Sequence, residues 1–283
     1  MKIFITGAGG MLAHDIIGVL EGRHQLILST RTDLDICNAQ QTAELIAMHG
    51  PDCVINCAAY TNVDGCETDC DNAFAVNADG AKNLALACRQ SGAKLMHIST
   101  DYVFDGAGQR PYVEDDATNP LSVYGRSKLG GERSIQDILD NHIIIRTEWL
   151  YGRHGNHFVG RMLQLARERD ELEVVNDQTG SPTLTADLAL AIEALLAVPA
   201  RGIYHVTNAG SCSWYVFAQK IFAIAGSTIR VLPISLERLA RPARRPAYSV
   251  LDCSKFIRQT GHALRPWEQA LESYMQASRS STC

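Results

Sequence analysis

Ile3, Phe4 and Ile5 form a short unbroken apolar run across residues 2–6, which predicts a buried strand. A turn follows over Gly7–Gly10. Leu12, Ile16, Ile17 and Leu20 then recur at helical spacing across residues 11–21. The same rhythm continues. Strands are expected at 25–29, 53–57, 94–99 and 142–146, and helices at 42–49, 71–91 and 124–140. In the long helix, Ala73, Val76, Leu84, Ala87 and Cys88 fall on the inward face. A loop rich in Gly, Pro and Asp separates the fourth strand from Ser122.

Strands alternating with helices imply parallel strands joined by crossover helices, and buried parallel strands read as continuous apolar runs, as these do. The pattern predicts an α/β fold. A doubly wound, parallel Rossmann-type sheet is expected over residues 1–150, the kind of domain that accommodates a dinucleotide. Past residue 150 the rhythm loosens. Helices are expected at 157–169, 185–197, 213–225 and 265–277, and short strands at 172–175, 203–206 and 229–233. Residues 151–283 are therefore expected to form mainly a smaller C-terminal substrate-binding lobe, with some elements returning to the sheet. The polar tail from Ser278 to Cys283 is expected to fray.

Composition narrows the field. The chain has 283 residues, of which 46% are hydrophobic and 20% charged, which is ordinary globular usage. A formal net charge of -5 argues against a nucleic-acid partner, which calls for a basic surface. No apolar run approaches the ~20 residues that span a bilayer, so no membrane association is expected. Met1 leads straight into the first strand, so no secretory leader is expected either. The nine Cys show no Cys-x-x-Cys spacing and read as small buried apolar residues in a reducing, cytoplasmic setting. No metal site is assigned.

Chemistry concentrates at the strand ends. Thr6, Gly7, Ala8, Gly9, Gly10, Met11, Leu12 and Ala13 lie between a strand and a helix, the context in which a glycine turn lets backbone N–H groups approach a pyrophosphate. Small residues after the third strand, Ala58 and Ala59 before Tyr60, leave room for a ligand in the crevice. Tyr124 and Lys128, four apart on one helix, share a face. A free tyrosine, with a pKa of ~10, is a poor proton shuttle near neutrality. A neighbouring ammonium would stabilise its phenolate, and Lys128 could also hold ribose hydroxyls. Ser99, Thr100 and Asp101 end the fourth strand at the same crevice, where Thr100 could bond the reacting oxygen. Arg241, Arg244 and Arg245 cluster among prolines, and Arg245 reads as a diphosphate clamp.

Taken with the segments Ser99 to Gly106, Tyr124 to Lys128, Ile145 to Gly152, Asp177 to Thr183, Ser213 to Tyr215 and Arg245 to Asp252, these features resemble the extended short-chain dehydrogenase/reductase superfamily. Within it the chain is similar to the dTDP-4-dehydrorhamnose reductase family over nearly its whole length. The resemblance implies reduction of the 4-keto group of dTDP-4-dehydro-β-L-rhamnose to dTDP-L-rhamnose by NAD(P)H, with Thr100, Tyr124 and Lys128 catalytic. It implies that Gly10, Met11, Leu12, Asp35, Ile36, Ala58, Ala59 and Tyr60 line the cofactor, beside Gly7 of the turn. It also implies that Thr100, Asp101 and Trp149 touch the sugar. Ala13 and Asn62 depart from the usual pattern. Some members use Mg2+, reportedly at a dimer interface, and Asp15 sits where a carboxylate would be wanted. The simpler reading of Asp15 is an exposed acid near a helix N-terminus, so Mg2+ and a homodimer stay open. A dehydratase would want a second carboxylate directly after Asp101, where Tyr102 stands. A reductase or epimerase for another nucleotide-linked 4-keto deoxysugar stays open. Against a non-catalytic regulatory homologue stand the intact Tyr124 and Lys128.

The second strand's end bears on cofactor choice. NAD-selective sites place an acid about 20 residues past the first glycine, but Leu28, Ser29, Thr30, Arg31 and Thr32 occupy that window. Ser29, Thr30 and Arg31 could bond a 2′-phosphate, so NADPH is expected to be preferred and NADH tolerated. One charge-assisted bond contributes ~1.5–3 kcal/mol, or ~10–100-fold in selectivity. Arg31→Ala is therefore expected to erode the ratio of kcat/KM for NADPH over NADH by up to about that factor. An unchanged ratio would remove Arg31 from cofactor choice.

Overall fold

A computed structural model of the chain describes residues 1–280, with side chains through residue 278. Five strands alternate with helices through the first half: β1 (Lys2–Thr6), α1 (Met11–Leu20), β2 (Gln25–Ser29), α2 (Ala39–His49), β3 (Cys53–Asn56), α3 (Val63–Cys66), α4 (Cys70–Phe74), α5 (Gly80–Ser91), β4 (Lys94–Thr100), α6 (Val123–Ile138) and β5 (His142–Thr147). The second half contributes β6 (Leu150–Tyr151), α7 (Phe158–Leu165), β7 (Glu171–Val175), β8 (Thr179–Gly180), β9 (Thr183–Leu184), α8 (Thr185–Leu196), β10 (Gly202–His205), β11 (Cys212–Ser213), α9 (Trp214–Ala225), β12 (Arg230–Ile234), α10 (Ser254–Thr260) and α11 (Trp267–Ser280).

Six strands form one parallel sheet in the order β10-β5-β4-β3-β1-β2. From β1 the chain steps to β2 on one side, then back past β1 to β3 on the other. That reversal opens a crevice at the strands' carboxyl ends, where ligands of such sheets bind. The central strands are buried on both faces, which explains their unbroken apolar sequences. On one face Leu12 and Ile16 of α1 pack with Leu188 and Ile192 of α8 and Phe256 of α10. On the other lie Ile46 of α2, Leu84 and Cys88 of α5 and Ile135 of α6. Residues from the second half, in α8, β10 and α10, therefore complete the sheet and one of its layers. A further core gathers Tyr151, Val159, Leu172, Phe217, Trp267 and Leu271, where β7 pairs in parallel with β12.

Two expectations need correction. The helix expected over 71–91 is interrupted at Ala75–Asp79 by a π-helical turn, so α4 and α5 are offset by one residue. The C-terminal helix also runs farther than its polar sequence suggested, through Ser280, while residues 281–283 lie outside the described residues. Cys37, Cys53, Cys57, Cys66, Cys70, Cys88, Cys212 and Cys253 are all free thiols. Among the described residues no helix is long and apolar enough to cross a membrane.

One buried ion pair holds α6 to the sheet. Arg146 of β5 meets Glu132 of α6 at 2.7 Å, and neither side chain is more than 3% exposed. The Arg146 Nε donates to Glu132 as well, at 3.0 Å, so the pair is bidentate. Removing one partner strands the other charge in the core. Arg146→Leu is expected to lower the unfolding free energy by ~3–5 kcal/mol in urea titrations. The double variant Arg146→Leu/Glu132→Leu is expected to recover most of that loss. Equal destabilisation by the double variant would mean that packing, not charge, makes the site matter.

Candidate active site

The glycine turn after β1 meets the end of β3 almost at contact. Gly7 has φ 65°, and a Cβ there would fall 2.7 Å from the Ala58 nitrogen. A side chain at this point would push the two strand ends apart. The Gly10 N–H closes the turn on the Gly7 carbonyl at 2.9 Å, and α1 begins at Met11 with no side chain capping it. Its amino end, with its partial positive charge, is thus left for an anionic ligand. Leu12 itself is buried in the core, so only its backbone is available there. Gly7, Gly10, Arg31, Asp35, Ile36, Ala58, Ala59 and Tyr60 line one cleft, along with Thr30 and Val76.

Two asparagines not singled out from the sequence shape that cleft. The Asn56 Oδ1 accepts from the Thr6 hydroxyl at 2.7 Å and the Ala58 N–H at 3.1 Å. Asn77, on the π turn, brackets Tyr60: its Oδ1 accepts the Tyr60 N–H at 2.9 Å and its Nδ2 donates to the Tyr60 carbonyl at 3.1 Å. The π offset is what turns Asn77 inward. Ser29 is a correction. It is buried with its hydroxyl unpartnered, while Thr30 and Arg31, one and two residues on, line the cleft.

Thr100 ends β4 beside Tyr124 and Lys128 of α6, whose first turn is capped by the Ser122 hydroxyl accepting the Gly125 N–H at 3.1 Å. Burial pushes the Tyr124 phenol above its ordinary pKa, opposed by its contact with the Thr100 hydroxyl and reinforced by Asp101. The expected lowering by an adjacent ammonium is therefore not what this arrangement gives. Lys128, only 2% exposed, instead donates to the Ile98 carbonyl at 2.6 Å and lies 3.3 Å from His97 Nε2. Burial pulls its pKa down to about 8, partly offset by Glu132. Ser99 is a second correction: strand alternation sends its hydroxyl away from the crevice, onto Glu132.

Asp101 is buried and accepts from the Thr100 hydroxyl at 2.9 Å. Burial raises it to about 6, opposed by the neighbouring Ser249 and Thr100 hydroxyls. Glu148, missed in the sequence, lies in the same cluster, and burial and Asp101 push it well above the usual carboxylate range. Trp149 follows at φ 49°, a left-handed backbone that is uncommon for a bulky residue, with its ring stacked on Trp214 at 3.5 Å.

A second cleft, of about 1300 Å³, opens between Tyr102, Gln178, Trp214, Arg241 and Arg245. It is roomy enough for a nucleotide-linked sugar. Trp214 forms its wall, and Trp149 stacks behind. Arg245 pairs with Asp64 at 3.0 Å and Arg241 with the same carboxylate at 3.1 Å. Burial tends to raise Asp64, but these guanidinium and backbone bonds hold it below its ordinary value. Asp15 accepts the Thr185 hydroxyl. Among the described residues no group of three or more His, Cys, Asp or Glu side chains could hold a metal ion, so the Mg2+ option at Asp15 finds no support.

The family model described as the RmlD substrate binding domain matches residues 1–280. The spore coat polysaccharide biosynthesis protein SpsK of Bacillus subtilis is 43% identical over 283 residues, covering 100% of this chain and 99% of its own. The dTDP-4-keto-6-deoxy-D-glucose reductase of Streptomyces niveus is 41% identical, with 94% of each chain covered. A solved dTDP-4-dehydrorhamnose reductase of Bacillus anthracis, in complex with NADP, superposes with a TM-score of 0.95 at 41% identity, covering 98% of this chain and 99% of that one. In sequence and fold alike, therefore, the chain belongs to the RmlD substrate binding domain family, that of the dTDP-4-dehydrorhamnose reductases.

Proposed function

We propose that this chain reduces the 4-keto group of dTDP-4-dehydro-β-L-rhamnose to give dTDP-L-rhamnose, with NADPH preferred and NADH tolerated. The observation that carries the reading is the meeting of Thr100, Tyr124 and Lys128 at the carboxyl end of β4, beside the glycine-lined cleft. The Bacillus anthracis relative's NADP supports the cofactor class. Gly7, Gly10 and the Met11–Leu12 backbone would receive the pyrophosphate, Thr30 and Arg31 the 2′-phosphate, and Ala58, Ala59 and Tyr60 the wall of the site. When bound, the cofactor supplies the hydride.

The chain's own residues supply the rest. Tyr124 donates its phenolic proton to the carbonyl oxygen as that oxygen becomes an alkoxide. Its raised pKa suits this direction, because the donor must still hold its proton at neutral pH, and an alkoxide is a stronger base than a phenolate. Thr100 orients the reacting oxygen, and Asp101 orients Thr100. Lys128 contributes charge and a ribose contact. Trp149, through its stack on Trp214, and Arg245 with Arg241 border the sugar-nucleotide cleft. A second reading, reduction of another dTDP-linked 4-keto sugar, is favoured by the Streptomyces niveus relative, a dTDP-4-keto-6-deoxy-D-glucose reductase.

Incubation with NADPH and dTDP-4-dehydrorhamnose tests the reading through absorbance loss and product identity. Absence of dTDP-L-rhamnose would defeat it. Tyr124→Phe is expected to lower kcat ~10²–10⁴-fold with NADPH affinity little changed, whereas Lys128→Ala weakens both. Because Lys128 is cationic only below its pKa, kcat/KM for NADPH, which reports the free protein, is expected to fall as pH rises through about 8. A rate still flat well above that pH would mean that its charge is not used. In a separate measurement, Trp149→Ala and Arg245→Ala are expected to raise KM for the sugar nucleotide with NADPH affinity intact. A lowered Tm with normal KM would mark either residue as structural only.

A further inference from the structure

A chain of buried polar groups runs from the turn after β3 to Lys128, and its donors and acceptors fix one another. The Ala58 N–H can only donate, so the Asn56 atom that faces it at 3.1 Å is the amide oxygen. The Thr6 hydroxyl, at 2.7 Å, bonds the same oxygen. The Asn56 amide nitrogen must therefore point at His97 Nδ1, 2.9 Å away, and donate to it. His97 is 1% exposed, and burial holds its pKa well below the ordinary value, so the ring is neutral. With Nδ1 accepting, its single proton sits on Nε2. That N–H points at Lys128 Nζ, 3.3 Å away.

An ammonium there would set N–H against N–H. An amine would accept the His97 proton on its lone pair and still donate to the Ile98 carbonyl at 2.6 Å. We propose that His97 is a positioning residue that stabilises the neutral amine of Lys128 in the free protein, so that dinucleotide binding draws a proton from solvent onto those molecules whose Lys128 is unprotonated. The inference rests on the dinucleotide reading above. Bound ribose hydroxyls would offer Nζ new acceptors and the pyrophosphate a negative field, both of which favour the ammonium. A ligand that prefers the charged form must take up protons as it binds. The balance is simple: one solvent proton and one Nζ lone pair make one N–H bond, and nothing is oxidised. The other ionisable groups around Nζ are Glu132 on its own helix, Cys57 after β3 and Tyr124 one turn back. Glu132 favours the charged amine, while Cys57 and Tyr124 are neutral near pH 7 because burial raises both. His97 and burial itself therefore oppose the charge.

Calorimetric titration of the protein with NADP+, in buffers of differing ionisation enthalpy, reads the proton count directly. Uptake is expected in the wild type and should grow from about pH 7 to about 9, on either side of the Lys128 midpoint. His97→Gln, whose amide oxygen can accept from an ammonium, is expected to reduce that uptake measurably while still binding NADP+. Equal uptake in both proteins, or none in the wild type, would overturn the proposal. Nitrogen NMR of the unliganded wild type tests the tautomer without any variant. A protonated Nε2 with a bare Nδ1 is expected, and a protonated Nδ1 or an imidazolium would overturn it. Failure of the wild type to bind NADP+ at all would instead bring down the dinucleotide reading, and this inference with it.

Discussion

The structure depends on keeping α6 in register with β4 and β5. Tyr124 and Lys128 ride on that helix, and Thr100 ends the strand beneath it, so a shift of a fraction of a turn would separate them. Apolar contact alone tolerates sliding, because it has no direction. The Arg146–Glu132 pair has direction: two parallel N–H to oxygen bonds lock one helix position to one strand position. The Ser99 hydroxyl joins the same carboxylate. A buried pair of this kind adds little net stability over well-packed apolar side chains. Its worth here is positional, since it fixes the acid–base groups against the strand ends where a ligand would lie.

The local features of this protein were legible in its sequence because they depend on residues close together in the chain. The strand–turn–helix at Gly7–Gly10, the Tyr124–Lys128 face and the alternation of elements all belong to that class. What stayed hidden depends on one-residue offsets or on distant partners. A helical pattern over 71–91 looks the same with or without the extra residue of a π turn, yet that residue turns Asn77 onto Tyr60. Ser29 and Ser99 adjoin residues that line the crevice, yet Ser29 is buried with its hydroxyl unpartnered and the Ser99 hydroxyl meets Glu132. Arg146 and Glu132 are unremarkable apart until the fold brings them together. Trp214 stacks on Trp149 across the two halves of the chain, which no spacing could reveal.

The electrostatics divide into two zones. Around Lys128, hydrogen bonds are nearly complete and the charge is the adjustable quantity. Around Asp101 and Glu148 the reverse holds. One oxygen of each carboxyl is buried without a partner, and the Ser249 hydroxyl donates to Glu148 at 2.8 Å. Two such acids buried together cannot both ionise cheaply, so the pair holds at least one proton near neutrality. Gly180 matters for the same reason. A Cβ there would collide with the Glu148 carboxyl and lie 2.6 Å from the Trp149 ring, so a larger residue would displace these groups.

The return of α8 and β10 to the sheet has a consequence for synthesis. As the chain leaves the ribosome, β1 to β5 are complete long before residues 185–206 exist. Until then the sheet face carrying Ile3, Ile5, Met96, Ile143 and Ile145 lacks half its cover, and β5 presents an open parallel edge. Such an intermediate exposes apolar surface and unpaired backbone together, the combination that makes nascent chains aggregate. Burden on the cell's chaperones would therefore fall within a narrow span of translation, between the fifth strand and the one that closes beside it.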